Sequence, residues 1–398
     1  MSQTLKFGNG TWATKKGSTL AYNDEDGNFK PLPFTYTGAG KGTRVNKEGL
    51  IEVVENDRPR IDYLDSEDGV FLLEKASTNL ITYSEDFTQW ARQSATINSN
   101  ETISPDGTNN ADKFTRTASN NNLRFITSIS GNYTFSTFLK ADTKNWVLLY
   151  INYSGGTDGQ TYVDLKNGII GNEVGTDNKI EDFGNGWFKV SVTFNTPATL
   201  SDVRFVIADD NGVISGSDGS IFVWGAQLEA GNATSYIPTQ GTTVTRVAET
   251  ASGSGNSGVF NDSEGVLFVD IQGLNELYRL GISENASTSN RILIGQSSSA
   301  LSYIVTSATV PVINESVSGY GLNQNLKIAA KYKQNDFAIW VNGFEVITVS
   351  SGNTPTNLNS LDLKGQGFDA YIKTKEIAYY NEILTDLELE TLTSYRTW

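Results

Sequence analysis

The chain contains no cysteine and no histidine, one methionine and only eight prolines. Without cysteine there is neither a disulfide framework nor thiolate chemistry. Without histidine, Ser-His-Asp and Cys-His nucleophiles and any His-ligated zinc or iron centre are excluded. No stretch approaches the ~18 to 20 consecutive apolar residues of a membrane helix, so membrane insertion is not expected. The opening ten residues, MSQTLKFGNG, lack the apolar core of a secretory signal, and the chain is expected to fold in a cytoplasm. Basic charge is also short. Thirty Lys and Arg stand against 45 Asp and Glu, a formal net charge of −15. Such a field repels phosphate backbones and anionic lipid surfaces, so no nucleic-acid partner is expected. By the same argument, a partner should be neutral or reached through a bound cation.

Glycine is plentiful, at 38 residues, and its placement is informative. Short runs rich in Val, Ile, Phe, Tyr and Thr alternate with Gly, Asn, Asp and Ser clusters about every ten residues, the pattern of antiparallel β-sandwiches. Trp146 to Tyr153 reads as one such strand. Its period of two puts Val147, Leu149 and Ile151 on one face and Trp146, Leu148 and Tyr150 on the other. Asn342-Gly343 between apolar alternations predicts a type I′ hairpin, whose central residues both need positive φ. Thr385 and Glu388 form a capping box ahead of Leu389 and Leu392, predicting one short helix at the end of the sequence.

A length of 398 residues with 38% hydrophobic side chains predicts two to three domains. Thr250 to Gly258, TASGSGNSG, has the composition of a flexible linker, and Asp65 to Gly69 marks a polar turn. The expected architecture is therefore all-β, with tandem antiparallel sandwiches of jelly-roll type. Residues 1–65 form a small β-rich leader, 66–249 a first sandwich, 250–258 a linker and 259–398 a second sandwich with the helix.

Several stretches carry a resemblance. Ile221 to Ala226 leads into QLEAGNATSYIPTQGTTVTR (Gln227 to Arg246). Leu72 to Trp90, Tyr133 to Ala141, Tyr162 to Gly171 and Phe183 to Val192 precede it in order. Together they resemble the carbohydrate-binding-like β-sandwich of bacteriophage tail and fibre proteins. Thr43 to Glu52 and Arg58 to Leu64 resemble the leader of such proteins, so the match spans roughly residues 43 to 247. From about residue 260 onward, the strands, the Asn-Gly hairpin and Leu384-Thr385-Asp386-Leu387-Glu388-Leu389 resemble concanavalin A-like lectin, glucanase and laminin G-like sandwiches. The resemblance implies a tail- or head-fibre or spike subunit of a phage virion, a homotrimer, made in the cytoplasm of a bacterial host. Its leader would bind other virion proteins and its sandwiches would attach to host-surface glycan.

Aromatic side chains are the leading candidates for a site, because sugar rings stack their apolar faces on such rings much as bases do. The chain has seven Trp, 17 Tyr and 19 Phe. Trp187 and Trp224 sit inside strand motifs and are expected in the core. Trp146, Tyr150 and Tyr153, beside the Gly155-Gly156 turn, and Trp340, facing the hairpin, are the candidate glycan contacts. Asp209, Asp210 and Asn211 in ADDNG are candidate calcium ligands, as are Asp24, Asp26 and Asn28 with Gly27 in NDEDGN. They cluster the oxygen donors that a hard cation prefers, although such clusters also form ordinary hairpin turns. With histidine absent, catalysis would need a carboxylate pair. Glu345 with Asp362 or Asp369 are the nearest candidates, yet the E-x-D-x-x-E spacing of glucanases is missing. No enzymatic activity is expected; the alternatives are a polysaccharide depolymerase and an architectural decoration protein without ligand.

Overall fold

Among the described residues, the paired strands of this chain run antiparallel. A computed structural model describes residues 3–20, 32–38, 40–155, 158–196, 198–272, 277–322, 324–363 and 372–395. Among these residues the one α-helix is Asp386–Thr393, and no helix is long and apolar enough to cross a membrane. The contacts divide the chain into two units. One comprises Met1–Gly40, Val54–Ala76 and Val247–Trp398; the other comprises Lys41–Val53 and Ser77–Arg246.

The second unit is a sandwich of two six-stranded sheets. One sheet runs in the order Ala91–Gln93, Asn122–Ile129, Leu200–Ala208, Trp146–Tyr153, Gly159–Asp164, Ile169–Val174. The other runs Ala95–Thr102, Ala111–Arg116, Ser220–Ala230, Asn132–Ala141, Trp187–Asn195, Asp177–Asp182. Alternate residues of both sheets, among them Val147, Leu149, Phe205, Phe135, Val190 and Leu228, bury their side chains in a shared core, as the two-residue period of strands requires. Trp187 and Trp224 are buried as expected.

The two most conspicuous sequence stretches close this sandwich through polar groups that have no access to water. Asn79 donates to the carbonyls of Ala226 (3.1 Å) and Ile237 (2.9 Å) and accepts from the N–H of Ile81 and of Leu228, both at 3.1 Å. Glu229 accepts from Ser77 Oγ (2.6 Å), Gln227 Nε2 (2.7 Å), Thr234 N (2.8 Å) and Thr234 Oγ1 (2.7 Å). A buried carboxylate is tolerable only when so surrounded. The Gly-Asn-Ala-Thr-Ser-Tyr turn is therefore specified by the carboxylate it encloses.

In the first unit, an eight-stranded and a five-stranded sheet pack over a core that includes Leu267, Val269, Leu280, Ile294, Tyr303 and Ile339. The leader is not a separate module. Leu5–Gly8 and Val70–Leu73 both pair with Ile372–Tyr380, and Arg60–Asp62 pairs with Val70–Leu73. Residues 1–65 were expected to stand alone, but Leu5, Phe7, Phe34 and Tyr36 belong to this core. Their strands are too short to bury an apolar face by themselves.

The expected linker at 250–258 is also structured. Thr250–Ser252 pairs with Phe34–Thr37, Ala251 is fully buried, and Ser254 and Leu361 exchange backbone hydrogen bonds at 3.1 and 2.8 Å. Small polar side chains read as flexible, yet strand pairing uses the backbone, which every residue carries. The adjoining Glu249 fixes the segment. It accepts Arg60 Nε (2.7 Å), Tyr36 Oη (2.6 Å) and Glu74 N (2.8 Å), all buried.

The predicted hairpin and helix form as read. Asn342 and Gly343 have φ of 50° and 89°, joining Asp336–Val341 to Phe344–Val349. Thr385 caps Asp386–Thr393 with the reciprocal Glu388 bond. Trp340 does not face the hairpin openly: it is 8% exposed and packs with Phe268, Tyr380, Leu384 and Leu389 in a cluster that includes helix residues. Its neighbours are apolar and leave no room for a sugar, so Trp340 is removed from the candidate contacts.

Candidate functional site

Trp146–Tyr153 lies between Leu200–Ala208 and Gly159–Asp164. Strand alternation sends Val147, Leu149, Ile151 and Tyr153 into the core and leaves Trp146, Leu148, Tyr150 and Asn152 on the opposite face. Tyr153 is consequently 7% exposed, with its ring 6.4 Å from that of Phe194. It shares a strand with Trp146 and Tyr150 but not a face, because 153 differs from 146 and 150 by an odd number. Tyr153 is therefore a core residue and not a surface contact.

The outer face is an ordered grid. Leu148 stands opposite Tyr162 on one side and Val206 on the other; Tyr150 stands opposite Gln160 and Arg204; Trp146 stands opposite Asp164 and Ala208. Leu148, Tyr162, Val206 and Ala208 form an apolar floor against which the partly exposed Trp146 and Tyr150 pack. Gly171 lets the Trp146 ring lie close to the neighbouring strand, since a Cβ there would meet the indole at 2.8 Å.

Polar groups around this floor are held in place before any ligand arrives. Arg204 chelates Asp202, Nε to Oδ1 at 2.5 Å and Nη2 to Oδ2 at 2.8 Å, and Asp202 also accepts Asn152 Nδ2 at 2.8 Å. The Arg204 guanidinium carbon lies 5.1 Å from the Tyr150 ring centroid. Tyr150 Oη donates to Asp158 Oδ2 at 2.6 Å, and Asp158 Oδ1 accepts the Tyr153 N–H at 2.9 Å. Burial, and then the Asp158 carboxylate, push the Tyr150 phenol up to about 12. Burial likewise raises Tyr162. Both rings therefore stay neutral near pH 7. On the strand beyond, Arg124 is the register partner of Arg204, and the adjacent outward residue, Ile126, is 64% exposed.

The Asp209-Asp210-Asn211 turn is not a cation site. Asp209 pairs with Arg116 and with Lys144 Nζ (2.9 Å) and accepts Gly216 N (2.6 Å). Arg116 holds its carboxyl well below the usual range. Asp210 accepts the Asn211 N–H at 2.7 Å, and Asn211 Oδ1 accepts Asn172 N at 2.7 Å. Two protein cations already neutralise the one carboxylate that a calcium ion would need most. Among the described residues, no group of three His, Cys, Asp or Glu side chains is placed to hold a metal. Asp24, Asp26, Gly27, Asn28, Gly156 and Asp369 lie outside the described residues.

Of the carboxylates singled out for catalysis, the two that lie among the described residues stand on different sheets. Glu345 is exposed on Phe344–Val349 of the eight-stranded sheet, whereas Asp362 is buried on Ser360–Asp362 of the five-stranded one. Asp362 accepts Gly253 N (2.9 Å) and Ser360 Oγ (2.8 Å), and burial raises its pKa.

Sequence reasoning missed Tyr162, Asn152, Asp202, Arg204 and Arg124. The signal was the alternation along Leu200–Ala208 and Asn122–Ile129, but it names a face only after the register with Trp146–Tyr153 is known.

No protein-family model and no curated protein sequence matches the chain. Among solved structures, mouse laminin alpha1 chain domains LG4-5 are similar at 11% identity, over 77% of this chain and 88% of that chain, with a TM-score of 0.24. At that score the likeness carries no argument. The sheets themselves define the class: an all-β protein of antiparallel sandwiches with one short C-terminal helix.

Proposed function

We propose that the chain is a non-catalytic glycan-binding protein, and that its site is the outer sheet face bearing Trp146, Tyr150 and Tyr162. One observation carries this reading: a partly exposed indole beside an apolar floor, bordered by polar groups whose positions hydrogen bonds already fix. A pyranose has an apolar face and equatorial hydroxyls, and this surface offers a partner for each. Ring stacking contributes ~1 to 3 kcal/mol per unit, by analogy with bases on aromatic platforms. Pre-fixed polar groups lower the ordering cost of binding.

The setting we propose is a phage virion, with the protein as a fibre or spike subunit attaching to the host surface. The ordered resemblance from Leu72 through Arg246 supports it. Weak single-site affinity also fits a trimer, in which several copies act together. The test is a glycan array probed with the wild-type protein and with Trp146→Ala. Binding that the substitution weakens is expected. Silence across the array, or release of reducing ends from a bound polysaccharide, would contradict the reading.

A further inference from the structure

Among the described residues Arg124 has no counter-charge, although the sequence has 45 acidic side chains. Its Nε is buried without a hydrogen-bond partner, and no carboxylate pairs with its guanidinium among the described residues. Three other arginines of the same unit have a carboxylate partner, Arg116 with Asp209, Arg44 with Glu52 and Arg204 with Asp202, while Arg92 donates to the Thr88 carbonyl. In register, Arg124 faces Arg204, and Arg204 faces Tyr150. Arg124, Arg204 and Tyr150 thus form one row across three adjacent strands. With strands ~4.8 Å apart, Arg124 stands ~10 Å from Tyr150 in the plane of the sheet.

We infer that the glycan recognised at this face is acidic, a uronate-bearing polysaccharide whose carboxylate is received by Arg124 while another sugar of the same chain, further along the face, stacks beside Trp146. The inference rests on the glycan reading above. It departs from what net charge alone suggests, because the charge of Arg124, unlike that of Arg204, is not offset by a paired carboxylate among the described residues. Arg204 is already chelated by Asp202, which leaves Arg124 as the guanidinium with open donors. A planar guanidinium matches a carboxylate in bidentate fashion; Trp146 lies four residues along the strand from Tyr150, ~16 Å from Arg124 in the plane of the sheet, a span that one polysaccharide chain can cross.

The test uses full-length protein and a panel of uronate polymers (polygalacturonate, alginate and hyaluronate), each paired with its carboxyl-reduced neutral form, with dextran sulfate as a control for indiscriminate charge. At least one uronate polymer should bind about tenfold more tightly than its neutral form, the scale of one charge-assisted hydrogen-bonded contact. Arg124→Gln should erase that preference, bringing uronate binding down to the level of the neutral form, with the melting temperature unchanged. Trp146→Ala should weaken binding to both forms. Equal binding of acidic and neutral forms, a preference that survives Arg124→Gln, or dextran sulfate bound as well as any uronate polymer would overturn the inference. Trp146-dependent binding of neutral polymer alone would do so while leaving the glycan reading intact. No binding to any polymer, on this panel and on the array, would remove both.

Discussion

The guanidinium of Arg204 lies over the ring of Tyr150, 5.1 Å from its centroid, while the same guanidinium chelates Asp202. One face of the Tyr150 ring is thereby taken by a protein cation, and its hydroxyl is taken by Asp158. Trp146 has no cation over it among the described residues and is the ring left for stacking. The two aromatic candidates on this strand therefore differ in proposed role: Trp146 is the proposed contact, and Tyr150 holds the polar border in place.

This difference is measurable. Trp146→Ala should weaken glycan binding by about 5- to 150-fold, the loss of ~1 to 3 kcal/mol of stacking, with little change in melting temperature. Tyr150→Ala should cost stability of about 1 kcal/mol through the lost hydrogen bond and cation–ring contact. Its effect on binding should be smaller than that of Trp146→Ala. Equal effects of the two substitutions on binding would contradict the division of roles.

Tyr153 and Trp340 should behave oppositely. Both are buried among apolar neighbours, so truncation leaves a cavity, and Tyr153→Ala and Trp340→Ala should each destabilise by ~3 to 5 kcal/mol. Denaturant titration would show it. A loss below about 1 kcal/mol would mean that these rings are not core.

Arg60, Glu249 and Glu74 form a fully buried ionic group, with Tyr36 donating to Glu249. Glu249→Ala would leave Arg60 with less compensation and should destabilise the unit by ~3 to 5 kcal/mol. Because Glu249 also fixes the 250–258 segment, limited proteolysis should cut that segment in the variant. It should not be the first site cut in the wild-type protein. Early cleavage at 250–258 in the wild type would restore the flexible-linker reading.

Stability should rise as pH falls from 7 to about 5. Burial pushes Asp112 up to about 6, against hydrogen bonds from Phe87 N and Asn100 N, and burial also raises Glu85, Asp270, Asp362 and Glu376. An acid with a folded-state pKa above its unfolded value, ~4, binds its proton more readily when folded, so acidification through this window favours the fold. Below about pH 4 the sign reverses. There, Asp209, held low by Arg116, and Glu388, held low by its bonds to Thr385, lose their partners on protonation. A melting-temperature profile should peak near pH 5; a steady fall from pH 7 downward would contradict the burial of these carboxyls.

Millimolar calcium should leave the melting temperature unchanged, because Asp209 is neutralised by Arg116 and Lys144. A ligand that binds only the folded state raises it in proportion to occupancy, so a calcium-dependent rise would reveal a site elsewhere.

Local signals were legible in the sequence wherever one residue sets its own geometry. The Asn342-Gly343 hairpin, the Thr385 and Glu388 capping box and the Trp146–Tyr153 strand all follow from backbone preference or from periodicity. Long-range facts were not legible. Pairing of Leu5–Gly8 with Ile372–Tyr380 joins residues at opposite ends of the sequence, and no local property of either segment specifies the other. The same holds for the site. Periodicity carried past Ile151 puts Tyr153 opposite Trp146, against its grouping with Trp146 as a contact, and only strand register brings Arg124, Arg204 and Tyr162 onto the Trp146 face. The acidic turn at Asp209 looked like a cation site because its counter-ions, Arg116 and Lys144, are distant in sequence.

The most direct test of the central claim is a crystal structure of the protein with a bound oligosaccharide taken from whichever polymer it retains. The account predicts a sugar ring stacked on Trp146, between Leu200–Ala208 and Gly159–Asp164, with polar contacts to the border formed by Asn152, Asp202 and Arg204. A sugar seated elsewhere, with the Trp146 face empty, would contradict it.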